Sequence, residues 1–174
     1  MNYIQTEIKG AFVFEPKVFK GAHGYFVDAW KQNEFYEHVG KVKFIKDKKT
    51  RSYNVLRALC YKKGTLSQAK LVRVIKGRVV DVAVDIRQTS PTFGKHVMVE
   101  LSEDKKRQFY IPRGLAHGFL VLSDEAYEVD NPYALWEDNG FCLEDPAFSI
   151  QWLIAPSQVI TSKKVLKCQM IKGS

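Results

Sequence analysis

The chain reads as a series of short stretches in which apolar and polar residues alternate. Over residues 78–86, Val80, Val82 and Val84 fall on one side, while Val79, Asp81, Ala83 and Asp85 fall on the other. That period of two marks a β-strand. Residues 96–101 alternate in the same way, with Val97, Val99 and Leu101 predicted to face inward. Further strands are predicted over 11–15, 54–61, 69–75, 108–111, 118–122 and 125–130. Lys76-Gly77 reads as a tight hairpin turn, 102–106 as a charged turn and Pro112-Arg113-Gly114 as a third turn. One helix is predicted over 33–39, capped by Asn33 and ended by Gly40, with Phe35 and Val39 on one face. It is too short to stand alone. From residue 150 onward an extended or short helical tail is expected. No amphipathic stretch of crossover length separates the strands, which excludes a parallel sheet built from strand–helix–strand units. An antiparallel sandwich or barrel remains.

Composition fits one soluble domain with a sizeable core: 174 residues, 45% hydrophobic and 26% charged. The longest apolar stretches, 115–122 and 79–84, are broken by His117 and Asp81, and fall well short of the ~18 residues of a membrane helix. Residues 1–9 are polar and mixed in charge, unlike a secretory leader, so a cytoplasmic protein with no membrane partner is expected. The three cysteines, Cys60, Cys142 and Cys168, are odd in number and widely spaced. They form neither a disulfide framework nor a zinc-ligand pattern. Cys142 and Cys168 read as small buried hydrophobes.

The net charge of +8 changes the picture. It favours an anionic partner, either nucleic acid or a small phosphorylated ligand. The basic residues gather over 41–51, 62–63, 70–78 and 163–172, and such runs are ordinarily solvated faces. No zinc-finger spacing, phosphate-cradling glycine loop or recognition helix supports nucleic-acid binding. What remains of that reading is a basic barrel face stacking single strands on aromatic rings. Polar residues embedded in apolar strands are more informative, because burial without a partner is costly. They are Arg57, Lys70, Asp81, Asp85, His117 and Tyr127. Convergence of several would make an anion-binding cavity. Taken singly, each also fits a satisfied core histidine, a surface ion pair or a packed aromatic.

The stretches KLVRVIKGRVVDVAVDIRQTSPTF (70–93) and YIPRGLAHGFLVLS (110–123) carry a resemblance that extends over the whole chain. EPKVF (15–19), VLRAL (55–59), NPYA (131–134) and EDPAFSIQW (144–152) follow in the same order. The chain resembles the dTDP-4-dehydrorhamnose 3,5-epimerases, which are cupin-like jelly rolls. The resemblance implies an all-β antiparallel sandwich with short flanking helices, as a single domain over 1–174. It also implies an isomerase acting on a dTDP-linked 4-keto-6-deoxy sugar. In that chemistry a base removes a proton alpha to the ketone, at C3, C5 or both, and an acid returns one to the opposite face. The resemblance further implies a nucleotide-diphosphate sugar as partner, a homodimer with N-terminal strands exchanged, a setting in polysaccharide or deoxysugar biosynthesis, and no cofactor. Metal-binding cupins carry a His-x-His pair where this chain has Cys60 and Tyr61, so no metal is expected.

Matched residue by residue, the family's acid corresponds to Tyr127, and a second Tyr that holds the nucleotide corresponds to Tyr133. Arg57 matches an Arg near the phosphates. Lys70 matches a Lys near the ketone or pyrophosphate, and His117 a pocket histidine. Phe26 and Asp28 match residues at the nucleotide end. His23 stands where the family has Arg, and Lys46 and Lys48 where it has Gln and Asn. The family's base, a His between Leu and Tyr, is replaced by Cys60, and the Asp that orients it by Lys164. Three readings compete. In the first, Cys60 is the base, since a thiolate beside positive charge is competent near neutral pH. The second is an isomerase of a related keto sugar nucleotide. The third is a non-catalytic nucleotide-sugar binder.

Overall fold

Two sheets, antiparallel but for one two-residue parallel pairing, face each other, and the chain passes repeatedly from one to the other. The computed structural model describes residues 1–44, 47–61, 67–130, 139–140, 149–152 and 160–161. Its strands are β1 (Asn2–Gln5), β2 (Phe12–Glu15), β3 (Val18–Gly21), β4 (Gly24–Val27), β5 (Lys48–Ser52), β6 (Val55–Tyr61), β7 (Lys70–Lys76), β8 (Arg78–Asp85), β9 (His96–Ser102), β10 (Gln108–Ile111), β11 (Leu115–Val121), β12 (Ala126–Asp130), β13 (Asn139–Gly140) and β14 (Ile160–Thr161). One helix, α1 (Gln32–His38), lies between β4 and β5. The first sheet has the order β1-β2-β10-β7-β12-β5. The second has β13-β6-β11-β8-β9, with β14 also pairing β6, and β3 and β4 form a separate hairpin. This is the antiparallel sandwich expected from the alternating pattern.

The predicted hairpin at Lys76-Gly77 is corrected by the topology. β7 and β8 do not pair: β7 pairs β10 and β12 in one sheet, and β8 pairs β11 and β9 in the other. Gly77 is the corner between sheets. Its φ of +82° suits glycine, and a Cβ there would run into the carbonyl oxygen of Glu125. The turn at 112–114 is a second corner, from β10 to β11. Strands β1, β3, β4, β5 and the two-residue β13 escaped the sequence reading. β1 and the β3–β4 hairpin are four-residue strands, and β5 lies within a stretch read as a charge run. The helix was found, but its N-cap is Lys31, with no side-chain cap bond, and Asn33 lies inside it.

Alternation divides the apolar residues into layers. Val72, Val74, Val79, Ala83, Val99, Leu101, Phe109, Phe119 and Ala126 form a core between the sheets, with Val97 packed against it. Leu59, Tyr61, Val80, Val82, Val84 and Ala116 form a second cluster on the outer face of the β6-β11-β8 sheet. Phe14, Phe35, Leu71 and Tyr110 form a third on the outer face of the other sheet, closed by α1. Phe35 stands edge-on to Tyr110, with centroids 5.4 Å apart. Each such buried side chain contributes about 1.5–3 kcal/mol of transfer free energy.

Asp85, fully buried, ties down the loop after β8. Its carboxylate accepts from Arg87 Nε at 2.8 Å, Ser90 Oγ at 2.6 Å and Thr92 Oγ1 at 2.6 Å. Burial alone would raise its pKa. The bonds from Arg87, Ser90 and Thr92 outweigh that and hold it well below the usual carboxylate range. Arg87 also donates to the carbonyl of Lys9 and crosses Gly114 so closely that a Cβ would lie 2.7 Å from its Cγ. The lock thereby sets the start of β11. Because the folded pKa is depressed, this contribution is complete above the unfolded value and fades as pH falls below it. Asp85→Asn is expected to cost about 3 kcal/mol at neutral pH. In urea melts the gap between variant and parent should narrow below about pH 4.

Candidate functional site

Between the sheets three polar side chains form a connected chain, and the inner surface that they occupy is termed the chamber. His117 of β11 places its Nε2 2.8 Å and 3.0 Å from the two carboxylate oxygens of Asp81 on β8. Its Nδ1 lies 3.0 Å from the ammonium of Lys70, which reaches across from β7 in the opposite sheet. Asp81 is 0% exposed and His117 5%. The partners fix the tautomer. A carboxylate accepts only, so Nε2 carries the proton, and Nδ1 is left with a lone pair for the Lys70 ammonium. Among the described residues the ammonium has no other hydrogen-bond partner, which leaves two of its protons for a ligand.

Strand geometry explains why these residues meet. Asp81 shares a face of β8 with Val79 and Ala83, both in the core between the sheets. Its register partner is Phe119, two residues on from His117. Lys70 precedes Val72 and Val74 on the inner face of β7. β6 adds a local irregularity. His117 pairs Cys60 and Phe119 pairs Arg57, so three steps on β6 match two on β11. The extra residue is a β-bulge, which re-aims side chains. It brings Arg57 and Cys60 to the same face despite their odd spacing, while Leu59 and Tyr61 both pack outside. Arg57 is exposed, with its guanidinium 5.9 Å from the centroid of the Phe119 ring. Cys60 is half-buried and carries a thiol.

The structure thus brings together Lys70, His117, Arg57 and Cys60 on one inner surface, and adds Asp81. Asp81 stood out in the sequence as an acid on a strand's apolar face, but only the structure pairs it with His117. Lys48 pairs Asp130, which in turn pairs Val72, so its backbone position lies toward the Lys70 end of the first sheet. His23, Phe26 and Asp28 are exposed on or just after the β3–β4 hairpin, which pairs with neither large sheet. Lys46, Tyr133, Lys164, Cys142 and Cys168 lie outside the described residues.

Tyr127, matched in sequence to the family's acid, stands apart from this group. Ala126 faces the core between the sheets, so alternation turns Tyr127 to the outer face. There the Arg51 guanidinium lies 5.2 Å and the Lys76 ammonium 5.8 Å from the centroid of its ring. Both cations bond Glu125. Tyr127 pairs Lys76, six residues along β7 from Lys70, which at the rise of a strand is about 20 Å.

Among the described residues no three His, Cys, Asp or Glu side chains gather as metal ligands, and no helix is long and apolar enough to cross a membrane. What the chamber offers is a buried carboxylate–imidazole–ammonium chain, a thiol on the adjoining strand and a guanidinium near them. That set suits an anionic ligand with a carbonyl whose oxygen gains charge.

Comparison with known proteins gives the same direction. The model of the family dTDP-4-dehydrorhamnose 3,5-epimerase matches residues 5–172. A dTDP-4-dehydrorhamnose 3,5-epimerase of Shigella flexneri is 48% identical over 157 residues, covering 87% of each chain. The crystal structure of the enzyme of that name from Elizabethkingia anophelis superposes with a TM-score of 0.93 at 39% identity, over 98% of this chain and 96% of its own. The dTDP-6-deoxy-D-glucose-3,5-epimerase of Legionella pneumophila, solved with dTDP-4-keto-L-rhamnose, gives 0.90 at 38% identity, over 97% and 92%. Sequence match and shared jelly roll agree along nearly the full length, and the chain belongs to the dTDP-4-dehydrorhamnose 3,5-epimerase family.

Proposed function

We propose that the protein is a nucleotide-sugar epimerase acting on a dTDP-linked 4-keto-6-deoxy sugar. The observation that carries this reading is the Asp81–His117–Lys70 chain facing the chamber beside Cys60. The Lys70 ammonium, pinned by His117 Nδ1, is placed to hold the C4 oxygen as it becomes an enolate. A fixed charge in a site screened from water stabilises such an oxyanion far better than solvent does. Cys60 takes the proton alpha to the ketone, at C3 or C5, and the C–H electron pair moves into the enolate. A proton drawn from solvent on the opposite face completes the inversion, and Cys60 gives up to solvent the proton that it took. Tyr127 does not supply the returning proton in this arrangement, because its ring lies on the outer face of β12. Arg57 is assigned to the diphosphate, for which a planar fork of donors is suited.

The protein is further proposed to act as a homodimer. Phe19 and Phe26 stack with centroids 4.7 Å apart on the β3–β4 hairpin, and Phe26 is 63% exposed. A second copy would cover this aromatic surface and could receive His23, Phe26 and Asp28 at its own chamber mouth.

The test is proton exchange in heavy water with dTDP-4-keto-6-deoxyglucose, read by NMR at C3 and C5. Deuterium entering one or both positions supports the epimerase. The replacement of the family's histidine by Cys60 gives weight to a binding-only protein, and tight binding without exchange at either carbon would establish that instead.

A further inference from the structure

On the reverse of the chamber wall lies a cavity of about 410 Å³, between the outer face of the first sheet and the segment carrying α1. That volume falls in the range of small-molecule sites, roughly 300–1,000 Å³. Trp30, Tyr36 and Phe44 supply rings, Leu71 an apolar floor, and Lys43 and Arg73 positive charge. Leu71 belongs to the outer aromatic cluster, whereas Val72 and Val74 face the core between the sheets. A ligand here would therefore touch the side of β7 opposite Lys70, and the cavity is separate from the chamber.

Polar capacity is unmet in the lining at Arg73 and Lys43, and behind it at the buried Gln108. Arg73 is half-buried, and among the described residues neither it nor Lys43 has an acidic partner. Gln108, the register partner of Arg73 on β10, is 1% exposed, and its Oε1 is buried without a hydrogen-bond partner. Its amide nitrogen is held by the carbonyl of Ala29, next to Trp30. A buried acceptor left open is costly, and a directly paired residue on the same face lies within about 5 Å at Cβ. Two cations with no acidic partner among the described residues suit a dianion, so a phosphate monoester fits better than a carboxylate. The rings suit a planar group that stacks.

We propose that this cavity is a second ligand site that binds a nucleoside monophosphate, with its base among Trp30, Tyr36 and Phe44 and its phosphate on Arg73 and Lys43. The site does not depend on the activity proposed above. Thymidine 5′-monophosphate, titrated calorimetrically into the intact protein, is the probe, with thymidine and inorganic phosphate as separate arms. Two equivalents per chain are expected if the chamber also takes the nucleotide, and one if only this cavity does. Arg73→Gln should remove the cavity's equivalent or weaken it at least tenfold, and Lys43→Gln should weaken it less. Arg57→Gln, in the chamber, should leave the cavity's equivalent in place. Unchanged stoichiometry and affinity in both Arg73→Gln and Lys43→Gln would overturn the proposal. So would inorganic phosphate binding as tightly as the nucleotide, which would leave the rings unused. A change of oligomeric mass in Arg73→Gln, with nucleotide uptake as in the parent, would assign the cavity to a second copy of the chain and overturn it equally.

Discussion

Cys60→Ser is expected to slow deuterium incorporation into the keto sugar by about a thousandfold, while binding of the nucleotide sugar changes by no more than a few-fold. The size follows from the role. A positioned general base contributes about 10²–10⁴ in rate, and serine keeps the shape of cysteine but does not ionise near neutral pH. The position is set by backbone pairing: Cys60 lies directly opposite His117, and the bulge turns it inward with Arg57. Cys60→His supplies the complementary result. An unperturbed imidazole titrates near 6.5 and is a serviceable base at neutral pH, so this variant should retain measurable exchange where serine does not. If serine exchanges at the parent's rate, the thiol is not the base and the chamber uses another group. If neither parent nor histidine variant exchanges while both bind, the chamber is a binding site.

The architecture was legible because its signal is local and repeated. The alternation in β8 and β9 is dictated by burial on fixed faces, and a one-residue slip would expose an entire row. Elements whose side chains are not sorted by burial were harder to read. β5 runs Lys-Lys-Thr-Arg-Ser, and only Ser52 at its end is buried, so its strand character comes from pairing with β12 and not from its own pattern. β3 and β4 expose nearly every residue.

The site was legible in part for a related reason. Lys70, Asp81 and His117 are polar residues on inner faces, where an apolar residue would otherwise stand, and that conflict marks them. Whether a residue faces in or out also depends on bulges, which leave no trace in the alternation. One extra residue on β6 brings Cys60 in beside Arg57. The displaced register between β12 and β7 accompanies the placement of Tyr127 on the outer face. Sequence matching assigned both residues to one cavity, and backbone geometry separates them. Asp81 shows the converse. Its partner is 36 positions away, and only the closing of β8 against β11 reveals the pair.

That pair yields the second large expected effect. Asp81→Asn should lower kcat by about 10²–10³ with little change in KM. The substitution keeps volume and shape but replaces an acceptor by a group that can also donate. If the new amide donates to Nε2, the ring proton moves to Nδ1, where it meets the Lys70 ammonium donor to donor. The 3.0 Å contact between Lys70 and His117 cannot survive in that state. In a comparable carboxylate–histidine pair the same amide exchange costs about 10⁴ in kcat through the wrong tautomer. The expectation here is smaller because His117 holds the oxyanion's partner and does not itself move the proton from carbon. Asp81 is thus a positioning residue, and its signature is spectroscopic. Nitrogen NMR of His117 should show the proton on Nε2 in the parent and on Nδ1 in Asp81→Asn. Asp81→Glu, which keeps the acceptor, should preserve the parent tautomer even where repacking slows turnover. An unchanged nitrogen spectrum in Asp81→Asn, together with a rate within threefold of the parent, would show that Lys70 is held in place by something other than the imidazole.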